Sequence, residues 1–422
     1  MLPRMPTLVT VMLSALLTGC GAAKPLTLMS TPVIYYQAAI DPFAHLPEAE
    51  RVPEVSVFYA TNRAPSISGY GNQVSDRLHL GSASVRLGGS DDLWPQLRNA
   101  SLSETRPRDL PLSLLQARED AHLPLHSADA GALPADVQAY IDALNLQLSK
   151  ARDKEIILYV HGAKVDFANA NQLTGELVHF AGRDFVGLAF AWPSHQNILS
   201  YLLGVDVERA RQSSHALSQL LELLSRHSHA ERINLVAYSA GGRVTSLALQ
   251  ELAARHAELS RAQLQRRYRI GAVVFAAADV PEELFEQRLP GISRIAEQVM
   301  ITVSDQDDAL QYAHLLMPGG PRIGSSQAEA SLHRFTQRQH LGNVNLLDVS
   351  GRYAERGFDI VGHHYWYRHP WVSSDVILLL RTNLSPQARA LSPGDHPALW
   401  YMQHDYPVAV RNVTREVLKG QW

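Results

Sequence analysis

Ser239 lies in Arg232-Ile-Asn-Leu-Val-Ala-Tyr-Ser-Ala-Gly-Gly-Arg-Val-Thr-Ser246, where an apolar run gives way to small residues and then to a helical pattern. A serine hydroxyl is a weak nucleophile at neutral pH and needs a base, normally histidine, that is itself oriented by a carboxylate. Both residue types follow downstream. Asp305, Asp307 and Asp308 occur in Ser304-Asp-Gln-Asp-Asp-Ala-Leu310, and His363 and His364 in Gly362-His-His-Tyr365. Such a set can attack a carbonyl, take up the proton of the attacking hydroxyl and return it to a leaving group. Asp307 is the preferred acid, with Asp279, after the apolar run ending at Ala276, as its rival; His363 and His364 are both candidates for the base. With 19 histidines in the chain, a suitably placed one is expected by chance, and Asp-rich loops commonly cap helices, so spacing alone does not assign these roles.

The elements that must hold Ser239 are legible around it. Ile233, Leu235 and Val236 read as a buried strand, and Val244 to Leu252 as a helix. Ala240, Gly241 and Gly242 leave room for a sharp strand-to-helix elbow, whose usual pattern is Gly-x-Ser-x-Gly. Ala237 stands in the first glycine position. A tetrahedral intermediate also requires N–H donors for its developing negative charge. Ala240 is placed to supply one, and Ala163 or Lys164, in Val160-His-Gly-Ala-Lys164, the other, with Gly162 permitting close backbone approach. His161 reads as a structural residue of that loop. Trp192-Pro-Ser194 reads equally as a wall of an acyl pocket or as a packed tryptophan and turn. His363, His364 and His369 are interleaved with Tyr365, Trp366 and Tyr367, a pattern of packing rather than of a metal cage, and no metal or cofactor is expected.

Further out, short apolar runs alternate with amphipathic helices from Val55 onward. Runs at 55–59, 83–87, 156–160, 185–190, 233–236, 272–276, 299–303 and 344–349 predict strands; 167–180 and 372–380 predict helices. This order predicts an α/β fold with a mainly parallel, doubly wound sheet and helices on both faces, its chemistry at the carboxyl ends of the strands. Residues 88–134 lack clear periodicity and predict an insertion folded over the surface, and 386–422 a C-terminal extension.

The first 20 residues carry Arg4, an apolar stretch from Leu8 to Leu17, and then Thr18-Gly19-Cys20. They read as a secretory signal ending in a motif that resembles a bacterial lipobox, with Cys20 as the acylated residue. Cys20 is the only cysteine, so no disulfide forms within the chain. Residues 21–50, rich in proline, predict a tether leading to a hydrolase-like domain at 51–385. The expected location is the bacterial cell envelope, with lipid anchoring and, because Gly21 follows the cysteine, the outer membrane favoured. A composition of 46% hydrophobic and 19% charged residues with net charge −3 offers no basic field for nucleic acid.

Taken in order, the segments resemble a little-characterised bacterial branch of the α/β-hydrolase superfamily. The resemblance is carried by Ala60-Thr-Asn-Arg63, Val160-His-Gly162, Trp192-Pro-Ser194, the Ser239 elbow, Ser304-x-x-Asp307-x-Ala-Leu310 and Gly362-His-x-Tyr365. It spans about residues 52–382 and implies a Ser239, Asp307, His363 triad, selecting His363 over His364 and Asp307 over its neighbours. Ala163-Lys164 replace a usual Tyr-Asn, and Tyr238 and Ala240 replace His and Met beside the serine. The implied activity is hydrolysis of an ester in a small molecule or lipid. The alternative is a catalytically silent surface lipoprotein that uses the fold as a scaffold.

Overall fold

The computed structural model describes residues 25–38, 40–67, 69–125, 132–350, 363 and 365–418. The leader, Cys20, Gly362 and His364 lie outside the described residues. Among the described residues, eleven strands form one sheet in the order β10-β11-β9-β8-β7-β6-β4-β5-β1-β2-β3. They are β1 (Glu54–Ser66), β2 (Gly69–Leu87), β3 (Leu112–Pro124), β4 (Ile156–Val160), β5 (Val186–Phe190), β6 (Ile233–Tyr238), β7 (Ile270–Ala276), β8 (Ala296–Val303), β9 (Val344–Asp348), β10 (Ser392–Pro393) and β11 (Leu399–Tyr401). The stretch from β1 through β5, β4, β6, β7, β8 and β9 to β11 is parallel; β2, β3 and β10 are antiparallel additions.

The central strands are apolar on both sides because both faces are covered. Along β4, Ile156, Leu158 and Val160 enter one core with the helices Ala135–Lys150, Val205–His227, Gly241–Arg255 and Glu282–Ile295. Ile157 and Tyr159 enter the opposite core with Phe167–Phe180, Pro370–Thr382 and Tyr406–Val417. This is the α/β architecture expected from the alternation of strand and helix patterns. Among the described residues, no helix is long and apolar enough to cross a membrane.

Three peripheral segments depart from expectation. Residues 25–50 are not a free tether: Leu28, Met29, Val33, Ile34, Tyr35, Phe43 and Leu46 are buried. Leu28 N–H donates to Leu110 O at 2.8 Å, Leu112 N–H to Leu26 O at 2.8 Å, and His45 Nε2 meets Asp184 Oδ1 at 2.7 Å. Prolines and absent periodicity therefore mark an irregular packed strap here. The stretch 88–134 is not an insertion over the surface either: it supplies the helix Trp94–Leu102 and β3, which pairs with β2 from Leu87↔Leu112 to Arg77↔Pro124. Its middle, Gln116 to Asp120, is charged and mostly exposed, as befits an edge strand that must resist further pairing. Residues 386–418 likewise complete the body. β11 pairs with β9, and the buried Arg389 guanidinium contacts Asp375 at 2.8 Å.

Glu176 shows how firmly the strap is attached. It is buried and accepts the Met29 N–H at 2.8 Å. Burial pushes its carboxyl up to about 8, against the smaller opposing effects of that hydrogen bond and the Arg106 charge. In the unfolded chain the group ionises near 4.5, so between that pH and about 8 the folded state keeps a proton that the unfolded state has lost. The stability it contributes therefore falls as pH rises through this window. Urea denaturation at pH 5, 6.5 and 8 is expected to show wild type losing stability relative to Glu176→Gln as pH rises, at about 1.4 kcal/mol per pH unit.

Candidate active site

Ser239 follows β6 directly and has φ 51°, a left-handed conformation that costs a non-glycine residue about 1–3 kcal/mol. Three backbone hydrogen bonds hold it there. Its N–H donates to Ala276 O at 2.9 Å, and its carbonyl accepts from Gly242 N–H at 3.0 Å and Asp279 N–H at 3.1 Å. The next residues must be small: a Cβ on Gly241 would sit 2.3 Å from Val160 O, and one on Gly242 would sit 2.9 Å from Ala278 Cβ. Ala237, by contrast, sits fully buried within β6, and its methyl group is part of the apolar core. The glycine usual at that place is not a steric need of this turn. The helix Gly241–Arg255 begins immediately behind Ala240, so its positive amino end lies beside the serine.

The loop after β4 closes in from one side. A Cβ on Gly162 would lie 3.0 Å from Ser239 Cβ, and Lys164 turns the chain with φ 59°. His161 braces this loop from below: its Nδ1–H donates to Gly162 O at 2.8 Å, and its ring stacks on Trp192 at 5.3 Å. Burial, assisted by the charge of Arg63, lowers His161 to about 3, so the imidazole is neutral. Trp192 is fully buried and donates to His161 O at 2.7 Å, so it packs under the loop. Arg63 ties these loops together, donating to Gly71 O at 3.0 Å, Val165 O at 2.7 Å and Ala191 O at 3.2 Å.

The structure brings Ser239, His363 and Asp307 into one chain of contacts. His363 Nε2 lies 2.8 Å from Ser239 Oγ, and its Nδ1 lies 2.8 and 3.0 Å from the two carboxylate oxygens of Asp307. Asp307 is 1% exposed and also caps the helix Asp308–Leu316, accepting Leu310 N–H at 3.1 Å. Capping and contact with the imidazole are thus two uses of one carboxylate. His363 in turn is held by Tyr238, whose hydroxyl donates to His363 O at 3.3 Å and whose ring lies 5.3 Å from the imidazole. Tyr365, two residues on, fixes the far side through a 2.9 Å contact of its hydroxyl with Thr302 Oγ1.

Asp279, the rival acid, faces other partners. Arg322 meets it at 2.8 Å and Arg243 at 3.4 Å, and the Tyr201 hydroxyl donates to it. Burial pushes this carboxyl up, but the two guanidinium charges outweigh it and hold the group below the usual carboxylate range. The Tyr201, Arg243 and Arg322 contributions were not legible in the sequence. They come from three separate loops and helices and converge only in the fold, and the only local hint was an arginine directly after Gly241-Gly242.

The sequence model of the family described as "Alpha/beta hydrolase of unknown function (DUF900)" matches residues 137–381. The chain belongs to that family and is an α/β hydrolase. No curated protein matches the chain.

The elbow geometry makes a paired expectation. Gly241→Ala is expected to destabilise by about 3 kcal/mol, because Val160 O cannot retreat without disturbing the β4 ladder. Ala237→Gly is expected to cost about 0.5–1 kcal/mol rather than to relieve anything. Chemical denaturation of the two variants checks both.

Proposed function

We propose that this α/β hydrolase is a serine hydrolase that cleaves carboxylic esters through a covalent acyl-enzyme, with Ser239 as nucleophile, His363 as base and Asp307 as its orienting acid. The observation that carries the proposal is the position of one imidazole, 2.8 Å from a serine oxygen on one side and 2.8 Å from a buried carboxylate on the other. In the first half-reaction Ser239 Oγ attacks the ester carbonyl while its proton passes to His363 Nε2. Asp307 fixes the Nδ1–H tautomer and stabilises the imidazolium. The oxyanion of the tetrahedral intermediate faces the Ala240 N–H and an N–H of the 163–164 loop. Collapse breaks the C–O bond, and His363 returns its proton to the departing alkoxide. Water then attacks the acyl-Ser239, losing its proton to His363, and the second tetrahedral intermediate collapses by breaking the bond to Ser239 Oγ, which takes that proton back from His363 as the acid is released.

The strained backbone of Ser239 supports a catalytic role over a purely structural scaffold. A binding scaffold has no use for a left-handed serine at a crowded elbow, whereas a nucleophile needs a turn that brings its hydroxyl to the imidazole, here 2.8 Å from His363 Nε2. We also propose that Cys20 carries the lipid anchor, which places the enzyme at a bilayer surface of the cell envelope.

Hydrolysis of p-nitrophenyl esters by the variants tests the assignment. Ser239→Ala and His363→Ala are each expected to lower kcat by at least about 10³-fold, and Asp307→Asn by about 10⁴-fold. Asp279→Asn, at a carboxylate paired with arginines instead of the imidazole, is expected to lose far less. A variant pattern in which Asp279→Asn is the more damaging change would transfer the acid role to Asp279.

A further inference from the structure

The loop between β4 and the helix Phe167–Phe180 is held peptide by peptide. On its incoming side, Trp192 Nε1–H donates to His161 O at 2.7 Å and His161 Nδ1–H donates to Gly162 O at 2.8 Å. On its outgoing side, Arg63 Nη2 and Ser194 Oγ both donate to Val165 O, at 2.7 and 2.8 Å. The Gln196 amide spans the same stretch: its Nε2–H donates to Lys164 O at 3.1 Å, and its Oε1 accepts the Asp166 N–H at 2.8 Å. Asp166 Oδ1 accepts the Asn169 N–H at 2.7 Å, so the loop ends in a capped helix.

Each of these bonds fixes more than the atom it touches. A trans peptide is planar with its N–H opposite its C=O, so a carbonyl held from one side aims the next N–H to the other. The buried His161 ring holds Gly162 O from below and thereby turns the Ala163 N–H away from the core. That N–H lies one residue beyond the point where the loop touches the nucleophile, since a Cβ on Gly162 would be 3.0 Å from Ser239 Cβ. Between His161 and Asp166 the Ala163–Lys164 peptide is the unit with neither end bonded among the described residues.

This pattern separates the two candidate donors of the loop. An oxyanion donor must be in place before charge develops, because a dipole that has to turn at that moment gives back part of what it contributes. Lys164 N–H belongs to the loose peptide and Ala163 N–H to a fixed one. Among the described residues neither Ala163 N–H nor Ala240 N–H has a partner, so both are open to a substrate oxygen. The outgoing side is where the loop could relax. Lys164 has φ 59°, a conformation that side chains other than glycine rarely adopt, and the carbonyl that follows this strained residue is the one that Gln196 holds.

We propose that Ala163 N–H, rather than Lys164 N–H, completes the oxyanion hole with Ala240 N–H, and that Gln196 is the positioning residue that keeps it aimed by clamping the outgoing half of the loop. This rests on Ser239 as nucleophile. As Ser239 Oγ adds to the ester carbonyl, the negative charge gathers on the carbonyl oxygen between the two N–H groups. Gln196 acts on that charge only through the loop. Its side chain is exposed, so its removal leaves the core untouched.

The test compares the full folded chain with Gln196→Ala, Gln196→Glu and Ala163→Pro. Hydrogen exchange read by mass spectrometry is expected to quicken about tenfold in the 162–167 peptide of Gln196→Ala and nowhere else. For the same variant, kcat on p-nitrophenyl acetate is expected to fall about tenfold with KM within about twofold, and phenylboronic acid, whose tetrahedral adduct on the serine needs the same donors, to bind about tenfold more weakly. Gln196→Glu, which keeps the acceptor for Asp166 N–H and loses the donor to Lys164 O, is expected to fall between. Ala163→Pro deletes one N–H and leaves Lys164 N–H in place; a kcat loss of about 10²–10³-fold is expected. Near-normal turnover in Ala163→Pro would return the donor role to Lys164 and overturn the assignment. Unchanged exchange in Gln196→Ala would overturn the clamp, and faster exchange with kcat and boronate affinity unmoved would overturn its bearing on the oxyanion. A wild-type chain that cleaves no ester and takes no fluorophosphonate would overturn the proposal through loss of its nucleophile, which the exchange result keeps distinct from failure of the clamp.

Discussion

The rest of the site depends on a crossing of backbones at Ser239. β6 must stop, reverse into a left-handed residue and start a helix within the space left by β4 and its loop. That space is so small that Val160 O occupies the position a Gly241 side chain would need. The strain is sustained because the turn is clamped from three directions, by β7 through Ala276, by the following helix through Gly242 and by the β7 loop through Asp279. Around this turn Arg63 ties three segments through the carbonyls of Gly71, Val165 and Ala191, and the His161–Trp192 stack supports the loop nearest the serine.

Two buried carboxylates near this turn differ in what surrounds them. Asp279 has two guanidinium partners and a phenol, so its charge is neutralised locally and its geometry serves to hold loops together. Asp307 has a helix amino end and an imidazole, so the cation that would complete it is the one formed when His363 takes a proton. A charge held in reserve beside a histidine suits proton transfer. A charge already matched by arginine suits architecture.

How much of this was legible in the sequence follows from how local each signal is. The buried parallel strands announce themselves, since β4 is an unbroken apolar run, and the helix Phe167–Phe180 falls where its periodicity places it. The loops after β6, β8 and β9 could be identified as carriers of a serine, an aspartate and a histidine because the order of strands requires their ends to meet. The sequence favoured Asp307 over Asp279 without showing what surrounds either carboxylate, because the arginines and the tyrosine that engage Asp279 come from distant segments. The strap at 25–50 was misread for a related reason. Tyr35 reaches Phe180 O and His45 reaches Asp184, contacts that leave no periodic trace. β3 carries the charges of an edge strand and so lacks the apolar alternation that marks its neighbours.

Everything proposed for this molecule passes through the reactivity of one hydroxyl, and a fluorophosphonate probe reads that reactivity without knowledge of the substrate. The measurement is labelling of the full folded chain, wild type against Ser239→Ala, with the adduct mapped by mass. A nucleophile activated by His363 and Asp307 gives a stoichiometric adduct on Ser239 that disappears in the variant. An unlabelled wild-type protein of native fold, or labelling that persists in Ser239→Ala, would contradict the account.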